Sequence, residues 1–64
     1  MKVIPTDVYD KDGDMIKIEF NDIEGNFVIE AVWDPQDPQD SEHREKFRKW
    51  AYRMVGQLDY EVVV

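Results

Sequence analysis

Apolar and polar residues alternate along three stretches of the chain, 15–20, 27–33 and 58–64, and a period-two pattern with one charged face marks a half-buried strand. In 15–20, Ile16, Ile18 and Phe20 share one face, with Met15, Lys17 and Glu19 on the other. In 27–33, Phe27, Ile29, Ala31 and Trp33 oppose Val28, Glu30 and Val32. In 58–64, Leu58, Tyr60, Val62 and Val64 oppose Asp59, Glu61 and Val63. Residues 3–9 read as a further short strand. Pro5 lies inside it, and proline has no N–H for a ladder, so this strand belongs at a sheet edge or starts after Pro5.

The punctuation between strands is local. Asp12-Gly13 and Gly25-Asn26 sit where hairpin turns are needed, because glycine, aspartate and asparagine tolerate positive φ. The segment 34–40 is a tandem Asp-Pro-Gln repeat ending in Asp40. Its prolines end the preceding strand, and Asp37 or Asp40 can cap the next element, so a helix is expected to begin between 38 and 42. The helix runs to about Val55 and stops near Gly56. At 100° per residue His43, Phe47, Trp50, Ala51 and Met54 form one apolar stripe, with Val55 at its border. Tyr52 stands opposite the stripe, flanked by Arg48, with Lys49 and Arg53 farther round.

The order is therefore β-β-β-α-β. It predicts an α+β two-layer sandwich, a mostly antiparallel sheet with one helix on one face, over a single small domain, residues 1–64. The last strand should run parallel to whichever outer strand it joins, the first or the third. The sheet face away from the helix would carry Met15, Lys17, Glu19, Val28, Glu30, Val32, Asp59, Glu61 and Val63, a mixed surface with more acid than base.

Charge changes the picture of function more than of fold. The 64 residues hold 15 Asp+Glu against 8 Lys+Arg, a net charge of −7. Residues 1–40 are acidic, whereas 41–55 lean basic through Arg44, Lys46, Arg48, Lys49 and Arg53. Such a field opposes DNA and RNA over the molecule as a whole and favours a protein partner with a basic surface. A compact acidic body can also imitate the charge of a DNA backbone and occupy a basic cleft. There is no cysteine, which excludes disulfides, thiol nucleophiles and cysteine-ligated metals. No run approaches the roughly 20 apolar residues of a membrane span. An opening Met with no apolar leader gives the expectation of a complete cytoplasmic protein.

Candidate chemistry is sparse. Asp10, Asp12 and Asp14 around Gly13 loosely evoke a calcium loop, but Val8 stands where an acid is wanted and Glu19 falls inside a strand. His43 and Ser41, the sole imidazole and the sole serine, are two apart on a helix and face different ways. No catalytic set, metal site or cofactor is expected, and no enzyme. The sequence reading is a small acidic protein-binding module, an inhibitor or modulator of a larger nucleic-acid-handling or regulatory protein. Its candidate partner-binding residues are Asp34, Asp37, Asp40, Arg48, Tyr52 and Arg53. Two other readings stand beside it: a homodimer through an edge strand, and weak single-stranded nucleic-acid binding through Tyr52 on the basic helix.

Overall fold

A computed structural model describes residues 1–64. Strands β1 (Lys2–Tyr9), β2 (Met15–Asn21) and β3 (Phe27–Val32) are followed by helix α1 (Ser41–Gln57) and strand β4 (Glu61–Val62). The sheet order is β3-β2-β1-β4, with two antiparallel pairs and a parallel β1–β4 pair. This is the expected α+β fold, and the last strand joins the first.

Two bulges set which side chains meet the helix. Val8 pairs with Lys17 and Tyr9 with Met15, so Ile16 is an extra residue in β2. Phe20 pairs with Ile29 and Asn21 with Phe27, so Val28 is extra in β3. One inserted residue exchanges the faces beyond it. Met15 is therefore fully buried while Ile16 is exposed, and Phe27 turns outward while Val28 packs against the core. Both outcomes correct the simple alternation.

Pro5 explains the brevity of β4, which the alternation had extended over 58–64. The Val3 carbonyl accepts from the Val63 N–H at 2.8 Å. Two residues on, position 5 turns the same way toward β4, and proline has no N–H for the next rung. Pro5 thus lies inside a strand that is internal in sheet order, at a point where only β2 pairs with it. Leu58 and Asp59 do not join the strand. Leu58 caps the helix, and Asp59 takes a left-handed φ of 68° just beyond it. Gly56, the expected stop, is still helical.

The core joins Val3, Met15, Ile18, Phe20, Ala31 and Trp33 of the sheet side to Ala51 and Val55 of α1. Phe47 and Tyr52 pack at its margin, Tyr52 edge-on to Phe20 with ring centroids 5.9 Å apart. The helix is thus turned from the expected stripe by roughly 70°, at 100° per residue. Trp50 and Met54, expected inward, are exposed, and Tyr52, expected outward, is half-buried. Arg48, expected outward, is half-buried on the side turned in, and its guanidinium stays satisfied by Asp7 of β1 at 2.6 Å and Glu45 at 3.0 Å. The opposite sheet face has no cover. Lys17 lies there between Glu19 at 3.2 Å and Glu30 at 3.5 Å, two carboxylates paired directly across strands.

Candidate binding surface

The linker between β3 and α1 is built from its aspartates and one glutamine. The Asp34 carboxylate accepts the Gln36 N–H at 3.0 Å, and the Asp34 carbonyl accepts the Asp37 N–H at 3.0 Å, closing a turn around Pro35. Asp40 is the helix N-cap. Its Oδ1 accepts the His43 N–H at 2.8 Å and lies 2.7 Å from His43 Nδ1. These bonds, the backbone one first, hold the Asp40 carboxyl below its ordinary pKa.

Gln39 fixes the linker to the sheet. Its Oε1 accepts the Met15 N–H at 2.9 Å and its Nε2 donates to the Met15 carbonyl at 3.0 Å, so a side-chain amide replaces a neighbouring strand. Arg44 extends the brace: its Nε donates to Gln39 Oε1 at 3.2 Å, a terminal guanidinium N–H donates to the Gly13 carbonyl at 3.0 Å, and its Cζ lies over the Tyr9 ring, 5.7 Å from the centroid. The β1–β2 turn, the linker and the start of α1 thereby form one end of the molecule. Asp10, Asp12, Asp14, Asp34 and Asp37 all lie at this end, and none has an ion-pair partner.

Two grooves flank the linker. The one toward the helix encloses about 390 Å³. Val32, Phe47 and Trp50 give its apolar lining. Asp34 and Asp37 enter from the linker, His43 and Lys46 from α1. Lys46 is engaged by Glu42 at 3.2 Å. The second groove, about 370 Å³, lies toward the hairpin, with Asp10, Asp14, Ile16 and Pro35 among its lining residues. Val32, 65% exposed, borders both.

An aromatic row connects the first groove to the core. Trp33, buried, meets Phe47 at 4.9 Å and 70°, and Phe47 meets Trp50 at 5.9 Å and 30°. Trp50 ends the row with 44% of its surface exposed. The Trp33 indole N–H is buried without a partner.

The six residues singled out from the sequence separate here. Asp34 and Asp37 enter the groove; Asp40 stands beside it as the helix cap. Arg48 is committed to Asp7 and Glu45. Tyr52 belongs to the core margin, where burial raises its hydroxyl pKa. Its outward placement is corrected, because Phe20 offers its ring a partner that the helical stripe did not reveal. Arg53 is exposed, unpaired and outside both grooves. The sequence reading missed Trp50 and Phe47 as groove residues and Gln39 as the brace. No three His, Cys, Asp or Glu side chains converge on a common point for an ion, and no helix is long and apolar enough to cross a membrane. Comparison with protein-family models, curated proteins and solved structures gave no match.

Proposed function

We propose that the chain is a small, acidic, non-enzymatic protein-binding module that docks on a partner with a basic surface, acting as an inhibitor or modulator of that partner. The observation that supports this reading most is the braced acidic end. Five carboxylates without ion-pair partners stand on a hydrogen-bonded turn and linker beside grooves with apolar lining. Fixed charge of one sign speeds encounter with an opposite surface, and nearby apolar area then slows release. The basic helix is a weaker candidate for nucleic acid than the sequence reading had it, since Tyr52 is turned inward.

The test is capture on immobilised protein from native-source lysate at about 50 and about 500 mM salt, salt setting the reach of surface charge. The expected result is one stoichiometric basic partner, released or depleted at high salt. Recovery of nucleic acid, of the chain's own copies, or of nothing at either salt would overturn the reading.

A further inference from the structure

The groove between linker and helix has a composition of its own. Its apolar lining is aromatic and aliphatic, from Trp50, Phe47 and Val32, and its linker wall carries two carboxylates, Asp34 and Asp37. Lys46, the one lysine among its lining residues, is already paired with Glu42. Trp50 is not a loose surface ring. It ends a contiguous row of three aromatics whose other end is buried, so one side of its ring is already packed on protein. A cation with a long apolar stem matches each part. The stem covers Val32 and Phe47, the cationic head meets the face of an indole, and the carboxylates accept its N–H groups. A preorganised aromatic wall loses little freedom on binding.

We infer that this groove is the recognition pocket for an arginine or lysine side chain presented by a basic segment of the partner protein. The inference rests on the protein-binding reading above and names the place and the chemistry of contact. Arginine is the better occupant, because its planar guanidinium stacks on indole and bonds a carboxylate through two N–H groups at once. The −7 charge of the chain draws the basic segment in, and the groove selects the one side chain that anchors it. The second groove, beside Asp10 and Asp14, contributes attraction but has no exposed aromatic ring like Trp50 among its lining residues to receive the head group.

The test is titration of the folded chain with a short basic peptide bearing one central arginine, and with the same peptide carrying norleucine there, read by amide and indole NMR shifts. The two indole N–H signals report separately on Trp33, buried, and Trp50, exposed. The expected result is movement of the Trp50 indole and of the Asp34 and Asp37 amides, saturable with the arginine peptide and at least about tenfold weaker with norleucine. Trp50→Ala and the double change Asp34→Asn with Asp37→Asn should each weaken binding by a similar factor. Asparagine keeps the oxygen that closes the Asp34 turn, so that variant isolates charge from folding. Lys49→Ala on the same helix should leave affinity unchanged. Shifts confined to residues 10–14 would overturn the groove while leaving the protein-binding reading standing. No binding of either peptide, with saturable binding of a single-stranded oligonucleotide instead, would overturn both.

Discussion

The two hairpin turns are nearly the same object in different surroundings. In Asp10-Lys11-Asp12-Gly13-Asp14 the first carboxylate accepts the N–H groups of Asp12 at 2.9 Å and Asp14 at 3.0 Å. In Asp22-Ile23-Glu24-Gly25-Asn26 it accepts those of Glu24 and Asn26, both at 2.9 Å. The closing backbone bonds match at 2.8 and 2.9 Å, and the glycines sit at φ 85° and 89°. Yet the first turn receives Arg44 from the helix and lies beside the strand end that Gln39 holds. The second receives no side chain from outside its own hairpin, and Ile23 and Phe27 stand exposed around it. Five residues are enough to write this turn. Its attachments are decided by residues far along the chain, which is how one turn became tied to the linker and helix while its twin did not.

The largest expected effect separates the twins directly. Gln39→Ala leaves the Met15 N–H and carbonyl without their amide partner next to a buried side chain, a loss of about 1–3 kcal/mol. Hydrogen exchange should quicken at Met15 and remain unchanged at Asn26; equal loosening of both hairpins would show that the brace is not local. A middle-sized effect tests their sameness. Gly13→Ala and Gly25→Ala meet no atom within 4 Å, so only the left-handed backbone is penalised, by about 1 kcal/mol at each site. Denaturant melts should give equal losses within a few tenths of a kcal/mol, and a clear excess at Gly13 would mean that the Arg44 bond shares the strain.

The smallest effect appears in acid. The Asn26 N–H first, then that of Glu24, holds the Asp22 carboxyl below its ordinary pKa. A folded value below the unfolded one means that the contribution is present above about pH 4 and is lost as pH falls through the depressed value. The Glu24 and Asn26 amide shifts should therefore titrate below the ordinary aspartate range, and Asp22→Asn should abolish that step. Titration at the ordinary value would break the assignment.

The sequence showed the turns well because each is written in adjacent residues, and the order of strands and helix followed from period and punctuation. Facing was harder. Ile16 and Val28 look like members of regular strands, and only pairing with a neighbour reveals that each is one residue too many. The helix was misread for a chemical reason: Arg48 and Tyr52 count as polar, but their stems and ring can be buried while their polar ends stay satisfied. Of the candidate site, Asp34 and Asp37 were legible as acids on a proline-stiffened linker. Trp50 was not, since its exposure depends on the rotation of the helix. Gln39 was hidden by repetition. Gln36 occupies the same place in the other copy of Asp-Pro-Gln and stays exposed, while Gln39 meets a strand 24 residues earlier.

The short strand β4 can be seen as a tethered ligand. It occupies the edge of β1 through few bonds, Glu61 N–H to the Met1 carbonyl at 2.9 Å and Val63 N–H to the Val3 carbonyl at 2.8 Å among them. Its tether is the folded body between β1 and β4, which keeps it beside its site at a high effective concentration. With so few bonds to β1, this segment is expected to open before the hairpins, as faster hydrogen exchange at Val63 than at Phe20 would show. A strand from another chain could take that place only by being comparably concentrated or by pairing better, and Pro5 limits the second route, since no newcomer can draw a donor from that position either.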